Sequence, residues 1–197
     1  MRNLAIYIFL VFFGITFAGC SVALREINKK SHSYRTDIFN EVKESDSPEK
    51  GFVDLIIKTS LKTHTEDYYI LESKKSLHGK PEYPFLINIG GQAAMCKIKG
   101  QKEIIPLYDE KGKKTKDGGE GVRYNLEKKI RLAAGSYNIF FGLPEEECFK
   151  ELEVILKEGN QYIMEVKPIY KKNNRRVQSF LYGVKEIDVS LDSTIIR

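Results

Sequence analysis

The chain has no tryptophan, and cysteine, histidine and methionine occur three times each. Each shortage excludes something. Tryptophan offers the largest stacking face, so its absence counts against a glycan platform built from Tyr68, Tyr69, Tyr83 and Tyr108. Three cysteines are too few for a disulfide-dense scaffold. With no Cys-x-x-Cys and no histidine pair at ligand spacing, no metal site is expected. His32, His64 and His78 stand far apart in the sequence and are expected as separate surface side chains. Gly-x-Ser-x-Gly, His-Glu-x-x-His and a phosphate loop are all missing. Gly118-Gly119-Glu120-Gly121 lacks the lysine and helix that would make it a phosphate cradle, so it reads as a loop. Glu145-Glu146-Glu147 lacks calcium-loop spacing and is expected to be solvated. The expectation is therefore a non-enzymatic chain with no catalytic residue, no metal ligand and no cofactor. The net charge of +5 is modest and dispersed. It forms no basic stripe, which argues against a nucleic-acid partner.

What is present begins at the N-terminus. Met1-Arg2-Asn3 supplies a short positive end, and Leu4 to Phe17 runs without a charge. Ala18-Gly19-Cys20 follows, with small residues where a peptidase must approach the backbone. The stretch Thr16-Phe17-Ala18-Gly19-Cys20 resembles the lipobox of bacterial lipoprotein precursors, with Phe17 where leucine is usual. The resemblance implies lipid on the Cys20 thiol, cleavage before Cys20 and acylation of the new α-amine. The alternative is an uncleaved signal anchor, because Val22-Ala23-Leu24 extends the apolar stretch towards the roughly 20 residues that span a bilayer. Both readings place the remainder in the cell envelope, outside the cytoplasm. Family members retained in an inner membrane typically carry Asp after the cysteine. Ser21 here favours an outer membrane over an inner one where the organism has both.

Three regions follow: a signal peptide over 1–19, a lipidated tether over 20–50 and a β domain over 51–197. The tether is polar and turn-prone, with Ile38, Phe39 and Val42 at a spacing that predicts a short helix. From Gly51 the apolar period becomes two. Strands are predicted over 52–58, 68–71, 84–89, 94–98, 103–108, 124–132, 136–141, 149–156, 161–170, 177–182 and 187–191. Pro106 cannot donate to a ladder and marks an edge. The basic loop Lys171 to Arg176 reads as a solvated hairpin tip. Short strands separated by turn signals predict an all-β fold, an antiparallel β-sandwich of the Ig-like or transthyretin-like kind.

Leu132-Ala133-Ala134-Gly135-Ser136-Tyr137-Asn138-Ile139, followed by Leu156 to Tyr162 with its Gly159-Asn160 turn, resembles PEGA-type and transthyretin-like modules of bacterial envelope proteins. The resemblance covers 132–166, with Ala133-Ala134 in place of a proline pair. It implies a binding or scaffolding unit and no chemistry.

With Cys20 lipidated, Cys96 and Cys148 remain. Both share strand parity with apolar neighbours, so both are expected to face inward. Either they pair, closing a loop of about 53 residues for roughly 4 kcal/mol, or they stay separate buried thiols. The expected partners are the membrane, through the anchor, and a protein of the envelope. The leading reading is an envelope lipoprotein that binds or scaffolds. The others are a surface adhesin or glycan-binding module, and a hydrolase in which His64 or His78 meets a carboxylate.

Overall fold

A computed structural model of the chain describes residues 18–42, 48–115, 117–172, 178–192 and 194–196. Residues 1–17 of the expected signal peptide, residues 43–47, residues 173–177 of the basic loop, and residues 116, 193 and 197 lie outside them. The described elements are α1 (Ala18–Lys30), β1 (Phe39–Glu41), β2 (Phe52–Thr63), β3 (Glu82–Ile89), β4 (Gln92–Ile105), β5 (Gly119–Ala133) and β6 (Gly135–Leu143). A 3-10 turn, η1 (Pro144–Glu146), precedes β7 (Cys148–Leu156) and β8 (Gln161–Tyr170). A second, η2 (Ser179–Tyr182), leads to β9 (Val184–Leu191) and β10 (Thr194–Ile196). No helix among the described residues is long and apolar enough to cross a membrane.

The strands join one sheet in the order β10-β9-β8-β2-β5-β4-β3-β6-β7, with β1 attached to β5. The sheet curls until β7 lies beside β9, which leaves it nearly closed. The all-β expectation holds, but the purely antiparallel sandwich gives way to a mixed sheet. β8 runs parallel to β2, with Asp54 opposite Gln161 and Thr59 opposite Val166. The β7–β8 turn produces this pairing by carrying the chain from one side of the curl to the other. It is held there by the Gly159 N–H donating to the Phe52 carbonyl and the Asp54 N–H donating to the Asn160 carbonyl.

The curl depends on β4, which the sequence divides into two strands. It is continuous, pairing with β3 through Gln92–Lys99 and with β5 through Gly100–Ile105. Gly100 sits at the changeover. A Cβ there would lie 2.5 Å from Val122 Cγ1 and 2.7 Å from Tyr124 Cε1, so only glycine lets β4 pass this close to the core. Beyond Tyr124, β5 has lost β4 as a neighbour. The vacant edge is taken by β1, with Phe39 opposite Leu132 and Glu41 opposite Ile130. Gln92 fixes the join: its side-chain oxygen accepts from the Ile38 and Phe39 N–H groups, and its amide nitrogen donates to the Phe39 carbonyl.

The segment expected as a tether thus carries ordered structure in its described part. Phe39 is buried in the core as strand, not helix. α1 docks on the outer side of the curl through Ile27, which is buried against Leu86 and Phe140. Lys29 and Lys30 in its last turn complement the helix dipole, and Lys30 pairs with Glu151. Cys20 lies in the first turn of α1.

Inward side chains from β2, β3, β5, β6, β7, β8 and β9 fill one core, including Val53, Leu55, Phe85, Phe141, Leu152 and Val166. Cys96 and Cys148 also face it, as their parity predicts. They are free thiols. Cys96 pairs with Phe85 on β3 and Cys148 with Leu143 on β6, so β3 and β6 stand between them. Three inter-strand steps of about 4.8 Å lie between their Cα atoms, a path of roughly 14 Å along the sheet, whereas a disulfide joins Cα atoms less than about 7 Å apart. Burial pushes the Cys148 thiol up to about 12, which keeps it protonated and inert.

Candidate histidine–carboxylate site

The stretch 68–71, predicted as a strand, belongs instead to a long loop between β2 and β3. Its base is clamped at Thr63, whose hydroxyl accepts the Gly79 N–H at 3.0 Å and donates to the His64 carbonyl at 3.0 Å. Gly79 packs so tightly on the outgoing chain that a Cβ there would fall 2.0 Å from the Glu66 nitrogen. Successive turns fold the loop, with the Tyr68 N–H donating to Thr65, Glu72 to Tyr69 and Lys80 to Leu77. Tyr69 ties it to η2 by donating its hydroxyl to the Leu181 carbonyl at 3.0 Å. Ile70 and Leu71 are left fully exposed at its tip.

This clamp brings together two histidines 14 residues apart. His64 Nε2 and His78 Nδ1 face each other at 3.0 Å. One carboxylate oxygen, Glu72 Oε1, lies 3.4 Å from His64 Nε2 and 3.8 Å from His78 Nδ1. Each ring is oriented from its far side. His64 Nδ1 lies 2.9 Å from the Thr65 carbonyl, so that nitrogen carries the proton and donates. His78 Nε2 donates to Glu146 Oε1 at 2.8 Å. Aromatic packing holds the rings as well: Tyr68 stacks on His64, Tyr69 meets it edge-on, and Tyr83 stacks on His78.

Glu146 is the hub. It sits at the end of η1 with its side chain 3% exposed, although the sequence suggests a solvated acidic loop. Its Oε2 accepts the Val184 N–H at 2.8 Å, and its Oε1 also accepts the Tyr83 hydroxyl at 3.3 Å. Burial alone would raise its pKa, but His78 and the Val184 N–H outweigh that and hold it below the ordinary carboxylate value. Burial pulls the other way on His78. The hydrogen bond and charge of Glu146, with Glu145 and Glu72 behind it, carry its pKa above the ordinary imidazole value.

With both outer nitrogens protonated, the two rings turn lone pairs towards each other beside a carboxylate. That arrangement accepts a shared proton or a cation. It does not resemble a serine-type triad: among the described residues no hydroxyl or thiol is hydrogen-bonded to either imidazole. Linear spacing gives no sign of a metal site, because loop closure brings these donors together from distant positions. Glu72 carries no signal in the sequence that marks it as a partner. His32 lies elsewhere, bonded to the Asn28 carbonyl at the end of α1.

The other sequence candidates disperse. Tyr83 is buried in the core and Tyr108 is exposed on a separate hairpin, so the four tyrosines share no exposed face. A groove of about 1040 Å³ opens where β4 leaves β5, lined by Cys96, Lys97, Lys128 and Lys129 among others. Two of its lysines are committed to carboxylates, Lys128 to Glu41 and Lys129 to Asp54. No protein-family model, curated protein or solved structure matches the chain.

Proposed function

We propose that this chain is a bacterial envelope lipoprotein, held in a membrane by acyl chains on Cys20, whose β domain binds or scaffolds a protein partner without catalysing a reaction. The observation that carries the reading is the charge-free leader Leu4–Phe17 ending at Ala18-Gly19-Cys20. Two or three acyl chains hold a protein stably where one would not. The outer membrane is the favoured address where there is one, given Ser21 after the cysteine. The PEGA-type resemblance over 132–166 belongs to the same reading.

The docking of α1 alters the geometry of such an anchor. Cys20 precedes the buried Ile27 by seven residues, which along a helix is about 10 Å. An anchored domain would therefore sit against the headgroups and not swing on a long tether. Val22 and Leu24, exposed on the same helix, suit an interfacial position. A Cys20→Ser chain is expected to incorporate no labelled palmitate and to leave the membrane fraction on carbonate washing. Full acylation of that variant would overturn the reading.

A hydrolase remains the second reading. The specific observation in its favour is the meeting of His64 and His78 with Glu72 and Glu146.

A further inference from the structure

We infer that His64 Nε2, His78 Nδ1 and the Glu72 carboxylate bind one divalent transition-metal ion of the zinc class, with a fourth position left to water or a ligand. The inference holds whether or not Cys20 is acylated.

Metal–ligand bonds of about 2.0–2.1 Å at tetrahedral angles place neighbouring donor atoms about 3.3–3.4 Å apart. The three donor atoms here are 3.0, 3.4 and 3.8 Å apart. Their mean matches the expected edge, and closing the triangle on an ion needs shifts of a few tenths of an ångström.

A histidine that ligates a metal nearly always donates its other N–H to a carboxylate or a backbone carbonyl, which fixes the tautomer and raises ligand basicity. Both forms occur here, with Glu146 behind His78 and the Thr65 carbonyl behind His64. Neither is accidental to the fold. Glu146 is locked by the Val184 N–H, and the Thr65 carbonyl is set by the clamp at Thr63 and Gly79. A histidine pair meant only to fill a core would not need its two inner nitrogens within 3.0 Å of each other and a carboxylate oxygen within 3.8 Å of both.

Two imidazoles and one carboxylate suit zinc and its neighbours, whereas calcium and magnesium take oxygen ligands. With both rings neutral, as metal ligation requires, Glu72 and Glu146 carry two negative charges, which a divalent ion balances. The described residues supply three donors. His64 is 2% exposed, while the His78 and Glu72 side chains are 15% and 17% exposed, so the site opens to solvent on their side. Three protein ligands with an open position are the arrangement in which zinc holds an exchangeable water.

The test uses the full chain purified in detergent, stripped with a chelator and titrated with zinc chloride. One equivalent should bind, with X-ray absorption showing nitrogen and oxygen neighbours at about 2.0–2.1 Å. Cobalt chloride should give the intense visible bands of a four-coordinate site. Glu72→Gln, on the solvent side of the loop, should weaken zinc at least about tenfold while leaving the circular dichroism unchanged. Glu146→Gln should weaken it about 10–100-fold by freeing the His78 ring. A Cys20→Ser chain should bind as the parent does, which separates this result from the fate of the anchor. Substoichiometric zinc, a six-coordinate cobalt spectrum, or equal affinity in parent and Glu72→Gln would each overturn the inference.

Discussion

Phe39→Ala is expected to destabilise the β domain by about 3–5 kcal/mol, the range for removing a buried phenylalanine, and to lower Tm by roughly 6–20 °C at about 2–4 °C per kcal/mol. Phe39 is 5% exposed and belongs to the central core with Leu132 and Val53. Two parts of the architecture depend on it. β1 fills the edge that β4 abandons when it turns away from β5. The Gln92 amide is positioned at the start of β4 to satisfy the backbone of that strand. Truncating Phe39 removes the apolar contact that makes this docking favourable and loosens one wall of the curl. Thermal unfolding of the full chain, followed by circular dichroism, measures it. An unchanged Tm would mean that 31–42 is a detached tether after all.

The second large effect is expected at Asp54. It is fully buried and accepts two bonds from Arg131, at 2.7 and 3.0 Å, and one from Lys129 at 3.1 Å. Removing one member of a buried ionic group leaves its partners with uncompensated charge, at a cost of about 3 kcal/mol or more. Asp54→Ala should therefore lower Tm by at least roughly 6–12 °C. The loss should depend on pH in a definite direction. Burial pushes the Asp54 carboxyl upward, but Arg131 and Lys129 outweigh it and hold it below the usual 3.8. A carboxylate depressed by folding contributes stability that is complete above its unfolded pKa and is lost as pH falls through its folded value. The gap between parent and variant should thus be full above about pH 4 and narrow below it. Urea unfolding at several pH values measures the gap, and a constant gap down to pH 2 would contradict the assignment. Glu103, held down by Arg123 and Lys62 against its own burial, adds to the same acid loss in both chains.

How much of this was legible in the sequence depends on the range of the interactions. Strands fixed by local alternation came through: β6, β7 and β8 lie where Tyr137, Leu152 and Met164 predict them, within a few residues. Features fixed by distant pairing did not. β4 looks like two strands because Gly100 breaks its apolar pattern, yet the glycine is there for Val122 and Tyr124 and not for a turn. Tyr68-Tyr69-Ile70-Leu71 has strand composition. The Thr63–Gly79 clamp closes the chain into a loop there, and Ile70 and Leu71 bury nothing. Residues 177–182, also predicted as a strand, form η2 over Ser179–Tyr182 in their described part, because Tyr69 and Phe180 fix that segment by contact.

The site, too, is assembled by distant pairing. His64 follows the last residue of β2, His78 starts the return to β3, Glu72 lies mid-loop and Glu146 comes from η1, beyond the end of β6. No spacing rule links these four positions. Composition shows only three histidines, and three is few enough to suggest isolation. The meeting is a product of loop closure, which depends on a threonine hydroxyl and one glycine with no room for a Cβ.

The claim on which the biological reading turns is the fate of the N-terminus. Intact-mass analysis of the chain purified from its native membrane tests it most directly. The account predicts that residues 1–19 are gone and that the Cys20 terminus carries the mass of two or three acyl chains. A chain still beginning at Met1 or Arg2, with no fatty acid added, would contradict it.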